Sequence, residues 1–150
     1  MNIDIQLADK RNLYTLAVLT KTFFPYVNFS SEEIDRRLSS NVVKYLIATS
    51  DGATVGFADF EIDNKRCKLM GVGVLQEHRR NGIARQLVRR IIVEAQNANC
   101  ETIFLLVAED NRPAISLYSS FGFISKGKSD KILDNKPILI MEKPLASHLN

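Results

Sequence analysis

Cysteine is scarce in this chain: Cys67 and Cys100 are the only two. Their spacing makes no metal site, and two thiols make no disulfide framework, so a reducing cytoplasm is the expected compartment. Histidine is equally thin. His78 and His148 stand alone, without ligand spacing, and no metal is expected. No apolar run approaches the roughly 20 residues a membrane helix needs, so no membrane partner is expected. Met1 to Gln6 is polar and mixed, unlike a signal peptide. Internal repeats, low-complexity tracts and linkers are missing. So are a Walker loop and a G-x-G-x-x-G fingerprint. Neither charge sign dominates. The formal net charge of +3 suits an anionic ligand and falls short of a nucleic-acid-binding composition. No aromatic residues interleave with the arginines between Arg79 and Arg90, which also argues against a nucleic acid partner. What is present is ordinary: 150 residues, 45% hydrophobic and 25% charged, enough for one domain over residues 1–150 with a real core.

Periodicity supplies the layout. Ile3, Ile5 and Leu7 alternate as a short strand. Asp9 is placed to cap a helix carrying Leu13, Leu16, Ala17 and Phe24, which Pro25 stops. Ser30 with Glu33 forms a capping-box signal for a short helix ending near Ser40. Strand-like runs over 43–49, 54–62 and 67–75 are joined by turns at Ser50-Asp51-Gly52 and Asp63-Asn64, the pattern of an antiparallel meander. From Gly82 to Ala98 the residues Ile83, Leu87, Ile91, Ile92 and Ala95 recur at helical spacing. Thr102 to Val107 reads as a strand buried on both faces. Residues 112–120 read as a helix, with Pro113 in its first turn and Gly122 past its end. Final strands are expected at 123–125 and 138–142, with a polar connection over 126–136. The strand–helix–strand unit over 67–107 should bring its strands parallel. The expected fold class is α/β (mixed α+β), a mixed sheet with helices on its faces.

The most informative stretch runs from Val72 to Ala84. A buried strand enters a tight basic loop, and an amphipathic helix begins at Gly82. The first N–H groups of a helix lack intrahelical partners, and its dipole favours anions there. A pyrophosphate fits such a place. Gly82 allows close backbone approach, Ala84 keeps the first turn narrow, and Arg79 and Arg80 add positive charge. From spacing alone, an ordinary strand-to-helix turn with a solvated basic face explains the segment as well.

Arg79-x-x-Gly82-x-Ala84 resembles the Q/R-x-x-G-x-G/A signature of the GNAT superfamily of N-acetyltransferases. Val74-Leu75-Gln76-Glu77-His78-Arg79 is similar to its V-x-P-x-x-R lead-in, with Gln76 where proline is common. Asn111-x-x-Ala114-x-x-x-Tyr118-x-x-x-Gly122-Phe123 matches its second signature. The resemblance covers roughly residues 42–125 and implies a mixed, mostly antiparallel sheet of six to seven strands with about four helices. It also implies acetyl-CoA as cosubstrate and an amine as acceptor. By that resemblance Val72, Gly73 and Val74 lie on the strand that pairs with the pantetheine arm. Arg79 and the backbone of Arg80, Asn81, Gly82, Ile83, Ala84 and Arg85 hold the pyrophosphate. Asn111 lies near the cofactor arm, and Tyr118 protonates the leaving thiolate. His78 borders the cofactor loop. Arg85, Arg89 and Arg90 read as a solvated helix face, with a reach to the CoA 3′-phosphate as the alternative. Asp59 and Glu61 read as a solvated strand face, with the acceptor as the alternative.

The segment Ala114-Ile115-Ser116-Leu117-Tyr118 is similar to that of protein N-terminal acetyltransferases, the ribosomal-protein enzymes and their archaeal relatives. A peptide N-terminus is therefore the preferred acceptor, with a small amine (polyamine, amino acid or antibiotic) as the alternative. A CoA-binding module without turnover is a third reading, against which Tyr118 argues. A homodimer is left open. Those enzymes carry a glutamate where this chain has Leu106, and the paired tyrosines of their C-terminal strands are missing from 131–137. Without a base, neutralising a lysine amine at pH 7 costs about 4.6 kcal/mol and an α-amine about 1.1 kcal/mol. Low-pKa amines are the expected acceptors, with Glu109, Glu61 or a water relay as substitute bases.

Overall fold

The computed structural model describes residues 2–27, 29–133 and 135–146. Its elements are β1 (Ile3–Leu7), a 3-10 turn (Lys10–Asn12), α1 (Leu13–Phe23), α2 (Ser31–Ser39), β2 (Val43–Ser50), β3 (Ala53–Asp63) and β4 (Arg66–Val74). A second 3-10 turn (Gln76–His78), α3 (Ile83–Asn97), β5 (Thr102–Ala108), α4 (Arg112–Ser120), β6 (Ile124–Leu133) and β7 (Lys136–Pro144) follow. The strands form one seven-stranded mixed sheet in the order β1-β2-β3-β4-β5-β7-β6. The expected fold class is borne out. By packing, the chain divides into two compact units, Met1–Glu61 with Gly71–Ile91 and Ile62–Met70 with Ile92–Asn150.

In the first unit β1 runs antiparallel to β2, from Ile3↔Ser50 to Leu7↔Leu46, and β2 runs antiparallel to β3. Asp51 and Gly52 turn between them with φ of 51° and 89°, the two left-handed residues a tight hairpin requires. The core gathers Leu16 and Leu19 of α1, Ile34 of α2, Tyr45 and Ile47 of β2, and Phe57 of β3. Asp9 does act as a cap, but for the 3-10 turn: its carboxylate accepts from Arg11 N at 2.9 Å, and Asn12 Oδ1 accepts from Asp9 N at 2.9 Å. α1 starts behind that turn and ends at Phe24, whose φ of −132° and ψ of 66° lie outside the helical region, as a residue before proline must. Ser30 Oγ accepts from Glu33 N at 3.2 Å, while the Glu33 carboxylate pairs with Arg36 instead of closing the box.

In the second unit the first part of β4 pairs in parallel with β5, from Arg66↔Thr102 to Leu69↔Leu105. β5 pairs antiparallel with β7 along its whole length, and β7 with β6. Two expectations change here. β5 is not buried on both faces: Ile103, Leu105 and Val107 are buried, whereas Thr102, Phe104, Leu106 and Ala108 are half-buried. The Arg66 guanidinium, 4.2 Å from the Phe104 ring centroid, gives that second face a polar cover. The expected polar connection over 126–136 is mostly strand. β6 runs to Leu133 with two register irregularities, and at the sheet's edge it needs no apolar alternation to be stable.

Candidate active site

β4 delivers Val72, half-buried, and Gly73 and Val74, both buried, to the start of the basic loop. The loop is held from within. Arg79 Nε donates to the Val74 carbonyl at 3.1 Å, and Asn81 Nδ2 donates to the His78 carbonyl at 3.3 Å. Arg80 and Gly82 both take left-handed φ, 68° and 76°, which folds the chain sharply back into α3. Gln86 N donates to the Gly82 carbonyl at 3.1 Å, the first bond of that helix. The N–H groups of Ile83 and Ala84 precede that first bond, at the end of a helix where backbone donors face outward. A cleft of about 340 Å³ opens there, lined by Val74, His78, Arg79, Arg80, Gly82, Ile83, Ala84 and Arg85. A Cβ built on Gly82 meets nothing within 4 Å, so the open side of the cleft lies over its Cα. Among the expected loop residues, Asn81 is the one that does not line the cleft; it ties the loop's backbone instead.

Glycines also shape the face of β4 behind the loop. A Cβ on Gly73 would stand 2.6 Å from the Phe23 ring, and one on Gly56 would stand 2.7 Å from the Gly73 carbonyl. A Cβ on Gly71 would stand 2.8 Å from Phe24 and 2.9 Å from Asp59 Oδ1. Each marks a close backbone approach, the usual meaning of glycine inside a strand.

Asp59 departs from its expected place on a solvated face. It is 9% exposed, and its Oδ2 accepts from Arg37 Nη2 at 2.9 Å. Arg37 Nε donates to the Tyr45 hydroxyl at 2.7 Å, and the guanidinium lies 4.7 Å from the Phe29 ring centroid. Burial pushes the Asp59 carboxyl up to about 6, against the pull of the Arg37 charge and hydrogen bond. Glu61, two residues on, is half-buried.

In the second unit Tyr118 is buried against Phe123, ring centroids 5.8 Å apart and edge to face. Burial pushes its phenol up to about 12. Asn111 is an exposed helix-entry residue whose Oδ1 accepts from Ala114 N at 3.3 Å. Leu106 pairs across the sheet with Ile140. Glu109, a substitute base by sequence, forms an ion pair with Lys128 at 3.5 Å and lies exposed. Cys67 and Cys100 are buried free thiols, Cys67 pushed up to about 12 by burial and then by Cys100. The expected solvated arginine face of α3 is only partly so. Arg85 and Arg89 are exposed, but Arg90 is half-buried, and its Nη1 donates to the Ile5 carbonyl at 3.0 Å. His148 lies outside the described residues. No helix among the described residues is long and apolar enough to cross a membrane, and none of their His, Cys, Asp and Glu side chains gather in a metal-binding group.

A mixed sheet whose fourth strand runs into a basic, left-handed turn and a helix N-terminus places this chain in the class of mixed α/β proteins with an anion-accepting type of strand-to-helix loop. Within that class, the family model described as Acetyltransferase (GNAT) family matches residues 11–123, and the chain belongs to this family. A curated relative, N-acetyltransferase family 8 member 3 of Rattus norvegicus, is 30% identical over 123 residues, 75% of this chain and 54% of that protein. The chain thus spans about half the length of that relative. The ribosomal-protein-S18-alanine N-acetyltransferase from Escherichia coli shares the fold with a TM-score of 0.82 at 19% identity, over 99% of each chain. Arabidopsis thaliana Naa50, solved with the bisubstrate analogue CoA-Ac-MVNAL, shares it with a TM-score of 0.80 at 22% identity, over 97% of this chain and 100% of that one.

Proposed function

We propose that residues 1–150 form a single acetyl-CoA-dependent domain that transfers an acetyl group to an amine, and that the acceptor is a protein N-terminal α-amine. The cleft over Gly82, at the N-terminus of α3 and beside Arg79, Arg80 and Arg85, carries the cofactor half of this reading. It offers a pyrophosphate a fixed set of donors with arginine charge around them. The acceptor half draws on two fold relatives, one acting on a ribosomal-protein alanine and one solved with a peptide joined to CoA. It also draws on the Ala114–Tyr118 segment. The cytoplasm, where acetyl-CoA and free thiols coexist, is the compartment we assign.

In this reading the amine attacks the thioester carbonyl carbon, a C–N bond forms, and the C–S bond breaks. The family resemblance assigns Tyr118 to the sulfur. A phenol near 12 stays protonated at every physiological pH. Its pKa exceeds that of a thiol, about 8.5, by roughly 3.5 units, so complete transfer to the thiolate would cost about 5 kcal/mol. Tyr118 therefore works by donating a hydrogen bond to the sulfur as its charge develops, within a dry surround that strengthens the bond.

The test measures CoA release with three acceptors: a peptide with a free N-terminus and blocked lysine, the reverse peptide, and a polyamine. The expected result is a kcat/KM for the first that exceeds the others by about tenfold or more. A preference for the lysine peptide or the polyamine would overturn the acceptor. No release with any amine would overturn transfer itself.

A further inference from the structure

The attacking nitrogen must shed a proton, and Leu106 stands where the resembled enzymes carry a glutamate. The first unit holds a carboxylate that neither the cofactor cleft nor the surface ion pairs use. Asp59 sits on β3 opposite Tyr45 of β2. Its two oxygens are differently placed. Oδ2 is held by Arg37, itself fixed by the Tyr45 hydroxyl and the Phe29 ring. Oδ1 faces the bare Cα of Gly71, 2.9 Å from where a side chain would begin. Gly71 comes immediately before Val72 and Val74, the stretch assigned to the pantetheine arm. Any other residue at 71 would collide with this oxygen and with the Phe24 ring, so only glycine lets Asp59 lie against this stretch of β4. Phe24 closes over the same point at 2.8 Å and keeps the surround apolar. A buried ion pair of this kind adds little net stability over a packed apolar substitute, so structure alone gives weak reason to keep one here.

We infer that Asp59 Oδ1 accepts the proton of the attacking amine, reached across the bare backbone of Gly71, with Arg37 as its positioning residue. The inference rests on the acetyl-transfer reading and not on the choice of acceptor. The proton balance is simple. The ammonium gives one proton to the carboxylate, which later returns it to solvent. The neutral nitrogen then attacks. Its second proton leaves as the C–S bond breaks, matching the proton the CoA thiolate takes up. The charged and titratable groups around the carboxylate are few. α2 brings Arg37, and Glu33, which acts on the Tyr45 hydroxyl. β2 brings Tyr45. β4 brings Gly71, and Phe23 and Phe24 carry no titratable group.

The experiment is a pH–rate series of kcat/KM with two acceptors of well-separated pKa, an α-amine peptide and a lysine peptide. For the unaltered protein we expect the rise to centre near pH 6 with both acceptors, because the enzyme group governs it. In Asp59→Asn the rate at pH 7 should fall by roughly 10²–10⁴. The remaining profile should climb through each acceptor's own pKa, with acetyl-CoA affinity kept. Arg37→Gln should move the rise to higher pH, since the Arg37 charge holds the carboxyl down, and Arg37→Lys should largely restore it. Glu61→Gln, on the same strand, should leave the midpoint alone. A midpoint that tracks the acceptor in the unaltered protein overturns the inference even if no variant folds. So does a folded Asp59→Asn with an unchanged profile. No CoA release from any amine overturns acetyl transfer and this inference with it, an outcome distinct from release whose profile follows the acceptor.

Discussion

At the residue scale, Gly82 joins a φ of 76° to open space where a side chain would stand. Those two properties separate in mutants. Valine adds a branched side chain in a conformation that costs an L-residue roughly 1–2 kcal/mol. Asparagine tolerates the left-handed region and adds bulk without much strain. Gly82→Asn should therefore stay folded while its acetyl-CoA affinity drops by about tenfold or more in calorimetry. Unchanged affinity in that variant would show that the pyrophosphate lies elsewhere. Tyr118→Phe keeps the ring against Phe123 and removes one hydrogen-bond donor. Its kcat should fall by roughly 10²–10³, with acetyl-CoA affinity little changed. A kcat within about twofold of the parent in single-turnover kinetics would remove Tyr118 from the reaction.

At the scale of elements, legibility follows the kind of constraint. The loop after β4 was readable because a tight strand-to-helix turn needs particular residue types at fixed spacing. Gly82 supplies the left-handed turn, Ala84 the narrow first turn, and Arg79 the tie back to Val74. Helix ends were readable from Ser30 and Pro25 for the same local reason. β6 was not, because an edge strand rich in Lys, Ser and Gly lacks the alternation that marks a half-buried one. Asp59 was not readable either. Period 2 tells which residues of β3 share a face, but what covers that face comes from α2, and Arg37 is 22 positions away in the chain. Gly71 and Gly73 gave a signal that strand periodicity passes over: two glycines two apart in a strand mark a face that something approaches closely.

At the scale of the whole molecule, Asp59 ties stability to pH with an uncommon sign. Its carboxyl sits at about 6 in the fold, above the roughly 3.9 of an unfolded chain. Between these values the folded state binds more protons than the unfolded one. The stability it lends is thus complete below about pH 4 and is lost as pH rises through 6, by about 3 kcal/mol. Urea unfolding at pH 3 and pH 7 checks this, with Asp59→Asn as reference so that other carboxylates cancel. The unaltered protein should lose about 3 kcal/mol relative to the variant on going to pH 7, whereas a constant difference would mean the carboxyl is not raised. The ionised form proposed to work as the base is then the form the fold tolerates least.

The bond from Arg90 to the Ile5 carbonyl joins positions 85 apart in the chain. It gives the molecule a schedule as well as a shape. A ribosome adding about 5–20 residues per second leaves roughly 4–17 s between the emergence of Ile5 and that of Arg90. The partners of β1 in β2 arrive well before then, so the strand can pair while its tie to α3 has yet to be synthesised. Throughout that interval β1 is held by β2 and the Asp51 turn without its tie to α3, which makes the translation of α3 the moment at which that tie is secured.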